Sequence, residues 1–190
     1  MRRFLLCILV SAAAILLSNL SCVVREEPRS TAAKIDTPYA VEGHKDLFRA
    51  GRFFYGGQPD EELLDWLADE GVKVIINMRT VDEMEKFTKE NFSEDSLAAV
   101  LGMTYLHFPV GGKAGYSPQV VDTFAQALEE FPDTTFIHCR SGGRVSYLWV
   151  AYLVAYKDVP INQAIDNGKK MKFKFLLEDL LGYQLIYRRK

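Results

Sequence analysis

The chain has 190 residues, of which 48% are hydrophobic and 25% are charged, and its formal net charge is -2 at pH 7. This length suits one ordinary domain with an appendage, and the composition excludes a fibrous or wholly disordered protein. The small negative charge provides no general attraction to nucleic acid, so we expect no nucleic-acid partner. The chain has three cysteines, Cys7, Cys22 and Cys139. They are too few for a disulfide framework.

The first 45 residues have the pattern of an export signal followed by a tether. A basic start precedes an apolar run from Phe4 to Leu17, which is typical of a bacterial signal peptide, although an uncleaved membrane anchor is an alternative. The three residues that end at Cys22 are similar to the end of a lipobox, in which the cysteine is lipidated. We therefore expect a signal over 1–21, a flexible tether over 22–45, and a periplasmic or cell-surface protein held at the membrane by its N-terminus.

Apolar periodicity and turn residues predict alternating strands and helices along the rest of the chain. The predicted strands span 52–57, 72–78, 103–110 and 134–138. The predicted helices span 60–70, 81–101, the segment that begins at Pro118, 144–156, 161–168 and 173–187. This alternation favours one α/β domain, in which a central, mainly parallel sheet is flanked by helices on both faces.

The strand predicted over 134–138 ends at Cys139, and a short loop leads from it into the next helix. Ligands of open α/β folds bind at this edge of the sheet, so a site is expected here. Gly142 and Gly143 allow successive backbone N–H groups to converge on an anion. The positive end of the helix and the charge of Arg144 favour the thiolate form of Cys139, which is the nucleophilic form. Arg144 is also suited to bind two oxygens of an oxyanion at once.

Four neighbouring residues support this interpretation of Cys139. Arg140 and Ser141 complete the anion-binding loop together with the two glycines. Ser146 is placed to form a hydrogen bond with the sulfur, and His138 is placed to hold the loop from behind. The alternative is a core cysteine that lies beside a glycine turn and has no chemical role.

This loop resembles the phosphate-binding loop of the cysteine-dependent phosphatases, the dual-specificity and protein-tyrosine phosphatase superfamily. Their motif is His-Cys, two residues, Gly, two residues, Arg, and then Ser or Thr, and it is matched by His138, Cys139 and Gly142. Residues 53–79 look like the opening of small bacterial domains of this superfamily, including the phosphatase-like domain found beside β-lactamase-hydrolase-like proteins. The resemblance covers about residues 47–156 and implies a cysteine-phosphatase-like fold.

The resemblance implies that residues 46–190 hydrolyse phosphomonoesters through a phosphocysteine intermediate, without a cofactor. In that mechanism Cys139 attacks phosphorus, Arg144 holds phosphate oxygens and Ser146 assists thiolate departure. Arg144 lies five positions after Cys139, one fewer than in the superfamily motif. The small bacterial subfamily shares this shorter spacing, but so do rhodaneses, which transfer sulfur through a cysteine persulfide. A sulfurtransferase that acts on a sulfane-sulfur substrate is therefore one alternative, and an inactive phosphate-binding module is the other.

The general acid of the superfamily, an Asp on the loop before the helix at Pro118, has no counterpart, because residues 111–117 contain no carboxylate. Three acidic residues are candidate substitutes, although each is more typical of a solvated charge: Asp82, Glu83 and Asp122. Lys113 and Tyr116 are candidates to approach the anion. Arg79, at the end of a strand, could reach the rim of the site, although a structural ion pair is its more ordinary role.

Metal chemistry is not indicated by the sequence. The three histidines show no metal-ligand spacing, so we predict no metal site.

Overall fold

The computed structural model describes residues 35–111, 115–174 and 177–185. Within these ranges the strands are β1 (Tyr39–Ala40), β2 (Phe48–Ala50), β3 (Phe53–Gly56), β4 (Val74–Asn77), β5 (Thr104–His107) and β6 (Thr135–His138). The helices are α1 (Glu61–Asp69), α2 (Val81–Glu90), α3 (Glu94–Val100), α4 (Pro118–Glu130), α5 (Gly143–Tyr156), α6 (Ile161–Lys169) and α7 (Glu178–Leu181). The predicted signal, the lipobox-like Cys22 and most of the predicted tether lie outside the described residues.

The strands form one sheet in the order β1-β2-β3-β6-β4-β5. β3, β6, β4 and β5 are parallel neighbours, whereas β1 and β2 pair antiparallel at one edge. All four residues of β6 are buried, as expected of a parallel strand with neighbours on both sides. The mainly parallel α/β sheet predicted from the sequence is confirmed, and the strand that leads to Cys139 lies inside it, between β3 and β4.

Helices cover both faces of the sheet. On one face α5 packs with α4, and nine consecutive residues of α5, Val145–Leu153, are buried because this helix is apolar on nearly all sides. On the other face α1 and α3 contribute Leu64, Leu67 and Ala98 to a second cluster that includes Phe136 of β6. The central strand is therefore held from both sides. Among the described residues, no helix combines the length and the apolar composition that a membrane crossing requires.

The helical segment predicted over 81–101 is two helices rather than one. α2 ends at its C-cap Asn91, and α3 begins after its N-cap Ser93. Asn and Ser favour helix ends, because their side chains compete for nearby backbone hydrogen bonds. The turn between the helices buries Glu94, the first residue of α3, so that only 1% of it is exposed.

The helix predicted over 173–187 is mostly absent, because within the described residues of this range only the four residues of α7 are helical. Lys172 precedes this range and has a φ of +72°, and Gly182 ends α7 with a φ of +73°. Both residues therefore leave the right-handed helical conformation, which an apolar periodicity cannot reveal.

The folded domain begins before residue 46, the boundary expected from the sequence. β1, which lies within the predicted tether, pairs with β2. The side-chain amide of Asn167 also donates to the carbonyl oxygen of Asp36 at 3.2 Å. A two-residue edge strand is too short to produce a recognisable hydrophobic pattern.

Candidate active site

Cys139 follows β6 directly, and its side chain is completely buried. Its sulfur accepts a hydrogen bond from the backbone N–H of Gly142 at 3.2 Å. Gly142 is the N-cap of α5 and has a φ of +82°, a left-handed conformation that favours glycine. The sulfur therefore lies against an amide donor at a helix N-terminus and not in purely apolar surroundings.

The cysteine loop is joined to the chain that follows β3. Gly57 and Ser141 form an isolated antiparallel bridge, and the Gln58 N–H donates to the carbonyl oxygen of Arg140 at 3.3 Å. A Cβ atom added to Gly57 would lie 3.3 Å from that same carbonyl oxygen, so glycine permits the close approach. These contacts hold the backbone of two predicted loop residues, while the Arg140 side chain is left exposed.

Arg144 lies in the first turn of α5, with 16% of its side chain exposed. Its Nη1 and Nη2 atoms each donate to one carboxylate oxygen of Glu83 at 2.7 Å. Nη1 also donates to the carbonyl oxygens of Met78 and Val110, at 3.1 Å each. Burial opposes the charged form, but the bonds to Glu83 and the proximity of Cys139 raise the pKa of Arg144 above its usual value. The guanidinium therefore stays charged, and it faces the site and not bulk solvent.

Glu83 belongs to the site because it holds the guanidinium of Arg144. It lies in the first turn of α2, where it forms a capping box with Thr80. The hydrogen bonds from Arg144 are the main cause that lowers the pKa of Glu83 to about 2. An ionised carboxylate has no proton to donate, so Glu83 does not replace the missing general acid. The sequence signal that could have found it is the Thr-x-x-Glu capping box immediately after β4, which places the carboxylate at this edge of the sheet.

Two residues predicted to support Cys139 make contacts that differ in part from the expectation. The hydroxyl of Ser146 donates to the carbonyl oxygen of Gly143 at 2.9 Å, one turn back in α5, and not to the sulfur. His138 is completely buried, and its Nε2 lies 2.6 Å from a carboxylate oxygen of Glu94. Side chains alternate between the two faces of a sheet, so His138 points to the same face as Phe136, two residues earlier. That is the face that α1 and α3 cover.

A buried polar network extends from Glu94 to Arg79 through the side chain of Gln58. The Gln58 amide donates to Glu94 at 2.7 Å, and its oxygen accepts from Nη1 of Arg79 at 2.7 Å. Nη2 of Arg79 donates to the main-chain carbonyl of Glu83 at 3.2 Å. Arg79 thus lies at the rim of the site, where neutral oxygens hold it. Among the described residues it does not form the structural ion pair that was the more ordinary expectation.

Tyr116 brings a phenol to the site, in the segment of the sequence where the superfamily has a carboxylate. A Cβ atom added to Gly111 would lie 3.0 Å from the hydroxyl oxygen of Tyr116, and Gly111 directly follows a carbonyl that accepts from Arg144. Burial raises the pKa of Tyr116 above its usual value, although the charge of Arg144 opposes this. The hydroxyl is therefore protonated at neutral pH. Lys113 lies outside the described residues.

The other two candidate acids make no contact that we find with Cys139 or Arg144 in the described part of the chain. Asp122 accepts a hydrogen bond from the Tyr156 hydroxyl at 2.6 Å on the surface, and Asp82 is exposed. Within residues 35–111, 115–174 and 177–185, no group of His, Cys, Asp and Glu side chains is arranged to hold a metal ion.

Solved phosphatase structures share this fold. It is similar to that of P. aeruginosa TpbA in complex with pTyr, with a TM-score of 0.60 and 14% sequence identity over 82% of this chain and 90% of TpbA. The fold is therefore that of phosphatases of the dual-specificity and protein-tyrosine type. More particularly, the chain belongs to the family described as DSP-PTPase phosphatase fused to NAD+ Kinase, whose family model matches residues 15–176.

Two curated relatives are much longer proteins. NAD kinase 2, chloroplastic, of Arabidopsis thaliana is 24% identical over 131 residues, which are 68% of this chain and 13% of that protein. The beta-lactamase hydrolase-like protein of Agrobacterium fabrum is 33% identical over 99 residues, 52% of this chain and 22% of that protein. This chain thus spans less than a quarter of the length of either relative. The second relative confirms the predicted likeness to the domain found beside β-lactamase-hydrolase-like proteins.

Proposed function

We propose that this chain hydrolyses phosphomonoesters and that Cys139 is the nucleophile. The observation that carries the proposal is the position of its sulfur, 3.2 Å from the Gly142 N–H at the start of α5. The sulfur is also close enough to the guanidinium of Arg144 for their charges to interact. An amide donor, a helix N-terminus and a guanidinium all stabilise a thiolate, which is the form that attacks phosphorus. Membership of a phosphatase family supports the same chemistry.

The proposed reaction has two steps and needs no cofactor. The Cys139 sulfur first attacks phosphorus, so that an S–P bond forms and the bond to the leaving oxygen breaks. The leaving group departs as an oxyanion and takes its proton from solvent water. Water then attacks the phosphocysteine, the S–P bond breaks, and inorganic phosphate leaves. In both steps the N–H groups of residues 140–143 and the guanidinium of Arg144 bind the phosphoryl oxygens. The bond from Ser146 to Gly143 supports a positioning role, in which Ser146 holds the first turn of α5.

Arg144 retains one edge of its guanidinium for the substrate. Glu83 accepts from Nη1 and Nη2, and no described residue accepts the N–H of Nε. The donors of a guanidinium form a planar fork, so the Nε–H and the second Nη2–H can bind two phosphoryl oxygens. Glu83 thus orients the guanidinium without competing with phosphate.

Aryl phosphates are the substrates that we propose. General acid catalysis typically contributes about 10²–10⁴-fold, and residues 111–117 offer no carboxylate for it. A phenolate leaves with less need of a proton than an alkoxide does, so the missing carboxylate matters least for phenolic esters. TpbA of P. aeruginosa, which shares this fold, has been solved in complex with pTyr, and this supports the proposal.

Paired assays of the purified full chain test the proposed function. We expect it to release phosphate from p-nitrophenyl phosphate, and we expect no sulfur transfer from thiosulfate to a thiol acceptor. Turnover of thiosulfate alone would move the assignment to a sulfurtransferase that carries a persulfide on Cys139. Protection against thermal unfolding by inorganic phosphate, without turnover of either substrate, would identify a phosphate-binding module instead.

We also propose that the protein is exported and held at the membrane by its N-terminus. The basic start, the apolar run over 4–17 and the lipobox-like position of Cys22 support this location. In fractionated cells we expect the full chain in the membrane fraction and a Cys22→Ala variant in the soluble fraction. A Cys22→Ala variant that stays in the membrane fraction would contradict lipidation, and recovery of the unchanged chain in the cytoplasm would contradict export.

A further inference from the structure

A cleft of about 240 Å³ adjoins the cysteine loop. Its lining includes Arg79, Glu83, Lys86, Phe87, Glu90 and Arg140. Two of these residues connect the cleft to the proposed catalytic machinery, because Arg140 directly follows Cys139 and Glu83 holds the guanidinium of Arg144. A ligand whose phosphoryl group reaches Cys139 can therefore extend into this cleft.

The cleft attracts anions. Three of its lining residues are cations, namely Arg79, Lys86 and Arg140. Of the two carboxylates, Glu83 is already neutralised by two hydrogen bonds from Arg144. Glu90 lies 4.0 Å from Lys86, but both side chains are mostly exposed, so this pair is weak.

Arg79 is the deepest of the three cations, since only 8% of it is exposed. Its Nη atoms donate to two uncharged oxygens, the side-chain oxygen of Gln58 and the main-chain carbonyl oxygen of Glu83. Its Nε has no hydrogen-bond partner among the described residues. The guanidinium lies 5.1 Å from the centre of the Phe87 ring, which forms part of the cleft wall. Burying a charge is costly unless an opposite charge compensates it. An anion bound in the cleft would supply the charge that no described side chain provides for Arg79.

We propose that this cleft is a second phosphate subsite, and that the substrate is a small molecule with two phosphate groups. One phosphate group binds at Cys139 and the other binds among Arg79, Lys86 and Arg140. Phosphate is the favoured ligand because two guanidinium groups border the cleft, and guanidinium donors match the oxygens of phosphate in pairs. The inference rests on the proposed function for the reaction at Cys139, but the binding of the second group can be tested separately.

The test compares phenyl phosphate with hydroquinone bisphosphate, which differ by the second phosphate group. Binding is measured by titration calorimetry on a Cys139→Ser variant, which cannot form the phosphocysteine. We expect the bisphosphate to bind about tenfold more tightly, as charge-assisted hydrogen bonds to one phosphate would produce. A Lys86→Glu substitution should lower this preference by about threefold or more, because it reverses a charge at the mouth of the cleft.

Lys89→Glu is the matched control, since Lys89 lies on the same helix, is exposed and does not line the cleft. It should leave the preference unchanged at an ionic strength that screens distant charges. Equal binding of the two ligands, or equal effects of the two substitutions, would overturn the subsite. Turnover by the unchanged chain separates the two proposals. If phenyl phosphate is not hydrolysed but Cys139→Ser still prefers the bisphosphate, the subsite stands and the proposed hydrolysis fails.

Discussion

Replacement of Cys139 by serine is expected to abolish the hydrolysis of p-nitrophenyl phosphate, with kcat lowered by roughly 10⁴-fold or more. A serine hydroxyl can accept the N–H of Gly142 as the sulfur does, so the loop should keep its conformation. The hydroxyl is not ionised at neutral pH, however, and the adjacent amide and guanidinium are not sufficient to ionise it. The loss should therefore fall on kcat, while phosphate and vanadate still bind.

Two measurements make this result specific for the nucleophile. Rapid acid quench of the unchanged chain during turnover should yield protein that carries one phosphoryl group on Cys139, and the serine variant should carry none. Cys22→Ser is the matched control, because it makes the same atomic change far from the loop in sequence and should leave turnover of the purified protein unchanged. Retained turnover in Cys139→Ser, or a phosphoryl group on another residue, would contradict the proposed mechanism.

Replacement of Arg144 by lysine is expected to lower kcat/KM by about 10²–10³-fold, the usual effect of removing a donor that stabilises transition-state charge. Lysine keeps the positive charge but loses the planar fork. It can replace neither the paired bonds to Glu83 nor the remaining edge that is proposed for phosphate. The affinity for vanadate should fall with kcat/KM, and urea unfolding of the same sample would separate this loss from a loss of stability.

Glu83→Gln is the matched control for Arg144→Lys. Glutamine keeps the capping box with Thr80 but can accept at only one oxygen, so Arg144 stays in place with a weaker partner. We expect kcat/KM to fall by about tenfold or less, because the groups that face the substrate are unchanged. A loss as large as that of Arg144→Lys would contradict the assignment of Glu83 as a residue that only orients the guanidinium.

The difference in stability between the unchanged chain and Glu83→Gln should depend on pH in a defined direction. The folded protein has a Glu83 pKa of about 2, and unfolding returns it to the ordinary 4.5. The ionised pair therefore contributes fully above pH 4.5 and loses its contribution as the pH falls through 2. The difference in unfolding free energy between the two proteins, about 1–2 kcal/mol at pH 7, should shrink over this range. A difference that persists at pH 2 would mean that the charge of Glu83 is not its source.

The loop at Cys139 could be predicted because its parts are contiguous. A buried strand, a cysteine, two glycines and an arginine follow one another within ten residues, and each acts through its own backbone or its nearest neighbours. The Ser146 hydroxyl was harder to assign, because a serine in the first turn of a helix has two acceptors within reach. In the folded protein it donates to Gly143.

The amino-acid sequence by itself determined the alternation of strands and helices, the parallel sheet and the strand that carries Cys139, since these depend on periodicity and on short turns. Only the tertiary structure decided which distant side chains complete the site. Glu83 of α2 lies 61 positions before Arg144, its partner. Glu94, which contacts His138, lies in α3. The order of the strands in the sheet determines these partners, because it brings the C-terminal ends of β4 and β6 side by side. A local sequence pattern carries no information about that order. In sequence Glu83 resembles an ordinary surface charge. Its contact with Arg144, which only the tertiary structure shows, keeps it ionised and lets it hold the Arg144 guanidinium.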